Sequence, residues 1–481
     1  MLKRKKGNLT IPKTPTGING LDEVLEGGLP TGRPTLICGS AGCGKTLFGI
    51  QFLVKGAMES DEPGVFMSFE ESSEDLSLNV RSLGFDLDQL IKDKKLRIDH
   101  VKVERSEIEE TGEYDLEGLF IRLNYAIDSI GAKRVVLDTI ESLFGGIQNE
   151  SILRSEIRRL FHWLKEKGVT VIITGEKGEK TFTRQGLEEY VSDCVILLDF
   201  RVINQIATRR LRIVKYRGST HGTNEYPFLI DDKGISVIPI TSLKLDHTVS
   251  TEIISTGHKQ LDSLFGLKGI YRGSSVLLSG SAGTAKTTVA AAFAVASCKR
   301  KEKTLYFSFE ESPEQLVRNM QSVGIDLAPH IKSKKLIIHS SRPSLSGLER
   351  HLLILHNLID EHDPGTVIID PISSLLTVGS ISEVKEILLR IIDILKVRKI
   401  NAFFTSLTQA TKLKEDLTVE AISSLADTWI DLNCSSSQGR CLHIIKVRGM
   451  GHVMQACNFD ITDNGIVLEI PVAAKKNLPK G

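Results

Sequence analysis

One eight-residue segment has the residue types and spacing that bind the phosphates of a nucleotide. It fits the pattern G-x-x-x-x-G-K-[ST] at every fixed position and is formed by Gly39, Ser40, Ala41, Gly42, Cys43, Gly44, Lys45 and Thr46, with Leu47 following. In this pattern glycine amides surround a phosphate, the lysine neutralises the β and γ oxygens, and the threonine hydroxyl binds Mg²⁺. An apolar run precedes the segment and a helical stretch follows it. We therefore predict a phosphate-binding loop for ATP and Mg²⁺.

Three acidic residues stand where phosphoryl chemistry needs them. Asp138 ends an apolar run, so it is predicted to hold Mg²⁺ together with Thr46. Glu70 and Glu71 follow another apolar run, and we interpret the pair as a general base and a helper that polarise the attacking nucleophile. A solvated acidic turn is the alternative for such a pair when it occurs only once.

The chain contains an internal duplication with a period of about 240 residues. The repeated segments, in order, are Thr16–Asp22 and Thr256–Asp262, Gly39–Gly42 and Gly280–Gly283, Phe69–Ser72 and Phe309–Ser312, Gly84–Leu87 and Gly324–Leu327, and Lys215–Gly218 and Lys446–Gly449. This period is longer than that of solenoid repeats, which indicates a duplicated domain. The recurrence of the glutamate pair favours the catalytic interpretation over the solvated turn.

The second copy departs from the phosphate-binding pattern at one position. Its loop is formed by Gly280, Ser281, Ala282, Gly283, Thr284, Ala285, Lys286 and Thr287, with Thr288 following, so alanine replaces the last glycine. If the loop needs a positive φ there, alanine costs about 1 kcal/mol or more. The acidic residues Glu310, Glu311 and Asp370 are kept, and Thr287, Glu310 and Asp370 are the predicted metal ligands. We expect nucleotide binding to persist and turnover to be altered.

Each copy also carries a late pair of cations. They lie in the segments Lys215, Tyr216, Arg217 and Lys446, Val447, Arg448. In ring-shaped RecA-like assemblies such cations reach the γ-phosphate bound by the neighbouring subunit and act like arginine fingers. A surface strand with alternating charge is an equally acceptable reading of either segment alone.

Apolar runs alternate with helical-period segments throughout both copies, which predicts an α/β fold. We expect two tandem RecA-like P-loop NTPase domains, residues 1–245 and 246–481, each a mostly parallel sheet flanked by helices. The chain has 61 basic and 60 acidic residues, a balance that gives no electrostatic attraction to nucleic acid. No stretch is apolar enough to span a membrane, and the seven cysteines form no CxxC pair. A cytoplasmic location is expected.

With these residues assembled, the chain resembles the KaiC family of double-domain ATPases and autokinases. The resemblance spans nearly the whole chain and is marked by the two Phe-Glu-Glu-Ser motifs and by Glu225-Tyr226-Pro227-Phe228. It implies a homohexamer of two stacked rings with ATP and Mg²⁺ at the subunit interfaces. The first ring would mainly hydrolyse ATP, and the second would transfer phosphate to its own serine and threonine residues and remove it again.

The resemblance also implies roles for individual residues. Ser423 and Ser424 occupy the place of the family's phosphoacceptor pair, Thr418 that of an auxiliary threonine, and Glu310 that of the base on the adjacent subunit. Further nucleotide contacts are implied for Ser82, Ser219, His221, Asp232, Arg440 and His452. The resemblance implies a KaiB-like regulator as a partner. Only 16 residues follow Gly465, so a KaiA-type activator that binds a long tail is not expected.

Two other functions use the same loops. A recombinase or helicase-like DNA motor shares the RecA-like site, but that class usually carries basic DNA-binding loops, and the balanced charge of this chain does not favour them. A nucleotide-gated scaffold, in which Ala285 has silenced the second site, is the other alternative.

Overall fold

The computed structural model describes residues 11–101, 116–144, 150–178, 181, 183, 192–203, 206–238, 250–408, 423–435, 439–463 and 465–470. The chain divides into two compact units, Met1–Ser242 and Leu243–Gly481. Residues 239–249, which contain the predicted boundary between 245 and 246, lie outside the described residues. Within the described part of the chain, no helix is long and apolar enough to cross a membrane.

The first unit alternates strands and helices in its parallel half and ends in antiparallel strands. Its elements are β1 Lys13–Thr14, α1 Leu21–Val24, β2 Leu29–Pro30, β3 Pro34–Gly39, α2 Lys45–Glu59, β4 Gly64–Ser68, α3 Ser73–Arg81, α4 Leu87–Lys92, β5 Leu96–His100, α5 Glu117–Ile130, β6 Arg134–Asp138, α6 Ile140–Phe144, α7 Glu150–Lys167, β7 Thr170–Glu176, β8 Cys194–Ile203, β9 Ile206–Tyr216, β10 Glu225–Asp231 and β11 Gly234–Val237.

The second unit repeats this sequence of elements. They are β12 Ile253–Ile254, α8 Lys259–Ser263, β13 Ile270–Tyr271, β14 Ser275–Gly280, α9 Lys286–Lys299, β15 Thr304–Ser308, α10 Pro313–Gln321, α11 Ala328–Lys332, β16 Leu336–Ser340, a 3₁₀ turn Pro343–Leu345, α12 Leu348–His362, β17 Thr366–Asp370, a 3₁₀ turn Ile372–Thr377, α13 Ile381–Val397, β18 Asn401–Leu407, β19 Thr428–Ser435, β20 Gly439–Val447, β21 Cys457–Thr462 and β22 Gly465–Glu469.

The described residues of each unit build one nine-stranded sheet, and the two sheets have the same strand order. The orders are β5-β4-β6-β7-β3-β8-β9-β10-β11 and β16-β15-β17-β18-β14-β19-β20-β21-β22. The first six strands of each sheet run parallel and the last three join antiparallel. The predicted pair of mostly parallel α/β sheets is confirmed.

Apolar runs without alternation arise because the central strands are covered on both faces. Every residue of β3 is buried. Leu36 belongs to the hydrophobic core on one face of the sheet and Ile37 to the core on the other. Burying a side chain of this size contributes about 1.5–3 kcal/mol, so the strand that leads into the phosphate-binding loop is firmly held. The loop therefore starts from a rigid support.

The repeated Phe-Glu-Glu-Ser segment is partly explained by helix capping. Ser72 begins α3 by accepting a hydrogen bond from the Asp75 amide (3.2 Å), and Ser312 begins α10 by accepting one from the Gln315 amide (3.2 Å). Such a serine satisfies an otherwise unpaired amide in the first turn. Both glutamates of each pair lie after the end of the preceding strand, so the alternation of strand side chains does not constrain them.

Candidate functional site

The first phosphate-binding loop is the turn from β3 to α2. The structure brings together its residues Gly39, Ser40, Ala41, Gly42, Cys43, Gly44, Lys45, Thr46 and Leu47. Gly42 (φ +73°) and Gly44 (φ +103°) have left-handed backbone conformations, which glycine adopts without strain. Helix α2 then begins at Lys45. The positive end of its dipole and the amides of its first turn make this a site for an anion.

Two side chains of this segment point into the protein and two face the loop. Cys43 and Leu47 are buried in the hydrophobic core. The Lys45 ammonium lies in the loop, where it donates hydrogen bonds to the carbonyls of Gly39 (3.0 Å) and Ser40 (3.1 Å). The Thr46 hydroxyl faces the neighbouring strand. Lys45 and Thr46 are therefore the polar side chains at the loop, whereas Cys43 and Leu47 anchor the segment in the core.

The acidic residue of the first unit is hydrogen-bonded to the loop threonine. Thr46 Oγ1 donates to Asp138 Oδ2 at 2.8 Å, and the Thr174 hydroxyl donates to the other carboxylate oxygen. Burial raises the pKa of Asp138 above its ordinary value, with the nearby charge of Glu70 acting in the same direction. A hydroxyl and a carboxylate held side by side are the hard oxygen donors that Mg²⁺ prefers.

The donor set fits Mg²⁺ bound with a nucleotide better than a metal bound by protein alone. Among the described residues, no group of three or more His, Cys, Asp or Glu side chains could enclose a metal ion. Mg²⁺ is commonly held by one or two protein oxygens, substrate phosphates and water. Thr46 and Asp138 suit this mode. When bound, the ion would neutralise charge on the phosphate oxygens.

The two glutamates of each pair accept hydrogen bonds from different partners. Glu70 Oε1 accepts hydrogen bonds from the Thr139 and Ser142 hydroxyls (3.0 and 2.5 Å), which follow the Asp138 strand. Glu71 instead accepts one from the Asn79 amide on α3 (3.1 Å). Glu70 thus lies beside the acidic strand, where a base is needed, and Glu71 is held to the helix.

The second unit repeats this division. Glu310 accepts a hydrogen bond from the Ser374 hydroxyl (2.9 Å), and Glu311 accepts one from the Asn319 amide (3.3 Å). Glu70 and Glu310 thus occupy equivalent positions in the two units. Glu71 and Glu311 are both held by an asparagine of the following helix.

The second loop is the turn from β14 to α9. Its residues are Gly280, Ser281, Ala282, Gly283, Thr284, Ala285, Lys286, Thr287 and Thr288. The Lys286 ammonium donates hydrogen bonds to the carbonyls of Gly280 (2.8 Å) and Ser281 (2.7 Å), as Lys45 does in the first loop. Burial lowers the pKa of Lys286. Ala285 has φ +72°, so alanine stands in the left-handed conformation that the first loop gives to Gly44.

The acidic residue of the second unit has a different partner. Asp370 Oδ2 accepts a hydrogen bond from the Tyr306 hydroxyl (2.6 Å), and the Thr405 hydroxyl donates to Oδ1. Thr405 matches Thr174 of the first unit, but the place of Tyr306 is taken there by Phe66. Within the described residues, no hydrogen bond joins Thr287 to Asp370. The two sites therefore differ at the metal-binding pair.

The late cations lie at the opposite end of the sheet from the loop of their own unit. In the second unit, Val447 pairs with Thr428, which pairs with Val276 at the start of β14. The loop begins at the other end of β14, four residues or about 13 Å further along the strand. In the first unit, Tyr216 pairs with Cys194, which pairs with Thr35 near the start of β3. Neither cation pair is placed to meet the phosphates on its own loop.

The residues of the two late-cation segments differ in burial. Arg217 is exposed and forms an ion pair with Asp193 (3.7 Å). The Tyr216 side chain, in contrast, is buried and donates a hydrogen bond from its hydroxyl to the Gly28 carbonyl (2.8 Å). Its side chain therefore belongs to the core, whereas the flanking Arg217 is exposed and Lys215 is half-buried. Val447 is likewise a partly buried residue packed against the core of the second unit.

The predicted phosphoacceptor serines lie against the cations of the second unit. Lys446 Nζ donates hydrogen bonds to the carbonyls of Ser423 and Ala426 (both 2.8 Å), and Arg448 donates one to the carbonyl of Ser424 (2.5 Å). Burial lowers the pKa of Lys446, and the charge of Arg448 lowers it further. The two cations thus hold the backbone carbonyls of both serines. Thr418 lies outside the described residues.

The remaining predicted contacts fall into two groups. Ser82 and Asp232 lie near the loop edge of the first unit, where Gly84 approaches the Asp232 carbonyl. Ser219 and His221 follow the late cations, and the His221 ring lies near Tyr216 (6.5 Å between centroids).

In the second unit, the predicted contact Arg440 lies at the loop of its own unit. Its Nε approaches the Gly283 carbonyl (3.5 Å), because β20 starts at that end of the sheet. His452 is half-buried beside Phe265, and burial lowers its pKa.

One charged residue that lies near the first loop was not identified from the sequence. Arg209 is the counterpart of Arg440: both lie six residues before the first late cation, Lys215 or Lys446. Its guanidinium lies over the Phe200 ring (4.7 Å), and its charge acts on the Cys43 thiol of the loop. Extending the duplicated register by six residues would have identified it.

Two phosphate-binding loops on parallel sheets, each with an acidic strand and a glutamate beside it, define the class of this protein. It is a tandem P-loop NTPase of the RecA-like type.

Comparisons with known proteins identify the family. The family model described as "ATPase: KaiC" matches residues 14–242 and again residues 254–471. The chain is 54% identical to circadian clock protein KaiC2 of Synechocystis sp. over 96% of the chain and 82% of that protein. It is 36% identical to circadian clock oscillator protein KaiC of Synechococcus elongatus, over 95% of the chain and 88% of that protein. It is equally similar to KaiC of Parasynechococcus marenigrum, at 36% identity over 95% of the chain and 90% of that protein. The chain therefore belongs to the KaiC family of ATPases.

Proposed function

We propose that this protein hydrolyses ATP in both units and transfers phosphate to its own serines in the second unit. The observation that carries the proposal is the position of Lys446 and Arg448. These cations hold the carbonyls of Ser423 and Ser424, at the end of the sheet remote from the loop of the same unit. We therefore expect a phosphate on one chain's second loop to be transferred to the serines of another chain rather than to its own.

This arrangement requires copies of the chain to sit side by side. We propose a homohexamer of two stacked rings, in which each nucleotide lies between the loop of one subunit and the cations of the next. Lys215 and Arg217 would complete the sites of the first ring in the same way. A KaiB-like regulator would act on such a ring, and the role would be clock-related or in stress signalling.

The second unit supplies each part of the transfer. Lys286 and the amides of the loop would hold the β and γ phosphates, and Thr287 with Asp370 would hold Mg²⁺. Glu310 would accept the proton of the serine hydroxyl as the oxygen attacks phosphorus and the bond to the β-phosphate oxygen breaks. The products are a phosphoserine and ADP. Return of the phosphate to ADP or to water would constitute the phosphatase activity.

A mixing experiment tests transfer between chains. One variant, Lys286→Ala, keeps the serines but lacks the second loop's lysine, and the other, Ser423→Ala with Ser424→Ala, keeps the loop but lacks the serines. After incubation with radiolabelled ATP and Mg²⁺, neither variant alone should be labelled. Mixed after dissociation and reassembly, they should label the Lys286→Ala chain, and mass spectrometry should find the phosphate on Ser423 or Ser424. If the wild-type chain is labelled on Ser423 or Ser424 but the reassembled mixture is not, transfer between chains is contradicted.

The base assignment has a matched control in the first unit. Glu310→Gln, alone or together with Glu311→Gln, should abolish self-phosphorylation. Glu70→Gln should reduce ATP hydrolysis while leaving labelling of the serines in place, because Glu70 and both serines belong to different units. Unchanged labelling in the Glu310→Gln, Glu311→Gln double variant would refute the assignment.

A nucleotide-gated scaffold is the second candidate. It is favoured by the left-handed Ala285 and by the Tyr306 hydrogen bond to Asp370, both of which set the second site apart from the first. In that case the second unit binds nucleotide, but no serine becomes labelled in the wild-type chain.

A further inference from the structure

The two acidic residues that face the metal position are held by different side chains. In the first unit Asp138 Oδ2 accepts the hydroxyl of the loop threonine, Thr46, at 2.8 Å. In the second unit the same oxygen of Asp370 accepts the hydroxyl of Tyr306 at 2.6 Å. The other carboxylate oxygen is bound by a matching threonine in both units, so the difference is confined to one oxygen.

Tyr306 is built into the sheet beside Asp370. It lies on β15, which pairs in parallel with the strand that ends at Asp370, and Phe66 occupies its place in the first unit. The Tyr306 side chain is fully buried, and Asp370 is 7% exposed. A hydrogen bond from a hydroxyl to a buried carboxylate is charge-assisted and stronger than a neutral one. The phenol is thus a fixed competitor for this oxygen.

A carboxylate oxygen has a limited number of acceptor positions. In the first unit Asp138 Oδ2 remains directed at the loop, where Thr46 would share the metal with it. In the second unit the equivalent oxygen accepts the phenol hydroxyl instead, and Thr287 is not bonded to it in the described structure. Any water around Mg²⁺ must then share that oxygen with Tyr306.

We propose that Tyr306 is a positioning residue that makes the second nucleotide site less responsive to Mg²⁺ than the first. Its hydroxyl holds the Asp370 oxygen that Thr287 and the water around the metal would otherwise use. The inference rests on nucleotide binding in the second unit alone. It therefore stands or falls independently of the phosphoacceptor serines.

The test measures nucleotide binding rather than turnover. In full-length chains carrying Lys45→Ala, so that the second site dominates, binding of the fluorescent analogue mant-ATP is titrated with Mg²⁺. Tyr306→Phe should lower the half-saturating Mg²⁺ concentration by about three- to tenfold, a fraction of what a charge-assisted hydrogen bond is worth. Binding in EDTA should change little, because the tyrosine acts through the metal position.

The reciprocal change is the matched control. In chains carrying Lys286→Ala, Phe66→Tyr should raise the half-saturating Mg²⁺ concentration of the first site by a similar factor. This arm also provides the test if Tyr306→Phe fails to fold, which circular dichroism would reveal. The proposal is overturned if either folded variant leaves the Mg²⁺ response unchanged or shifts it in the opposite direction. An equal change in mant-ATP affinity with and without Mg²⁺ would show that Tyr306 has only a structural role, which also overturns the proposal.

Discussion

Alanine in the second phosphate-binding loop offers a direct test of backbone strain. Ala285 has φ +72°, whereas the equivalent Gly44 has φ +103°. A residue with a Cβ loses about 1–2 kcal/mol in the left-handed region. Glycine removes that strain but gives up about 0.4–1 kcal/mol because its unfolded chain is more flexible. We therefore expect Ala285→Gly to stabilise the second unit by about 0.5–1 kcal/mol.

The reverse change in the first loop should be unfavourable. A Cβ added to Gly44 would lie 2.9 Å from Ile230 Cδ1, so the isoleucine side chain would have to move. With the strain of a positive φ included, Gly44→Ala should destabilise the first unit by about 1–2 kcal/mol. The two substitutions thus have opposite expected signs at equivalent positions.

The two tryptophans of the chain make the measurement specific to each unit. Trp163 lies in the first unit and Trp429 in the second, where its indole donates a hydrogen bond to the Ser279 hydroxyl (2.8 Å). Urea unfolding followed by fluorescence in a Trp163→Phe chain would report the second unit. A Trp429→Phe chain would report the first. If Ala285→Gly lowers the Trp429 transition, or Gly44→Ala leaves the Trp163 transition unchanged, the strain argument is wrong.

Two further predictions concern the first site. Lys45→Ala is made in a chain that already carries Lys286→Ala, so that binding to the first site is measured. It should weaken mant-ATP binding by about tenfold or more, because a hydrogen bond to a charged group is worth about 1.5–3 kcal/mol. Unchanged affinity would exclude Lys45 from phosphate binding. Burial raises the pKa of Asp138, which favours the protonated carboxyl in the folded unit. Its contribution to the free energy of unfolding is therefore fully present below the ordinary carboxyl pKa and is lost as the pH rises through the raised value. Asp138→Asn should therefore raise the urea midpoint of the nucleotide-free first unit more at pH ~7 than at pH ~4, and an equal effect at both values would contradict this.

Much of the architecture could be predicted from the sequence because its signals are local. The pattern of Gly39–Thr46 binds phosphate through consecutive backbone amides, so its spacing along the chain is also its spacing in space. The two apolar faces of strands such as Pro34–Gly39 produced continuous hydrophobic runs, which predicted a buried parallel sheet. The position of Asp138 at a strand end followed from the same pattern.

The sequence is silent where side chains meet across strands. The register of an antiparallel strand brings Arg440 to the loop of its own unit. Tyr216 lies between two cations in the sequence, but its side chain is buried in the core. The hydrogen bond from Tyr306 to Asp370 joins residues 64 positions apart, and no motif contains both.

The sequence by itself determined that the chain has two copies of one fold and that each carries a loop, an acidic strand end and a glutamate pair. Those features depend on periodicity and on short spacings. Only the tertiary structure decided which glutamate lies beside the metal position, which oxygen of Asp370 is occupied, and at which end of the sheet Lys446 and Arg448 stand. Strand order, register and side-chain direction set these relations, and they result from packing of the whole unit rather than from any segment of it.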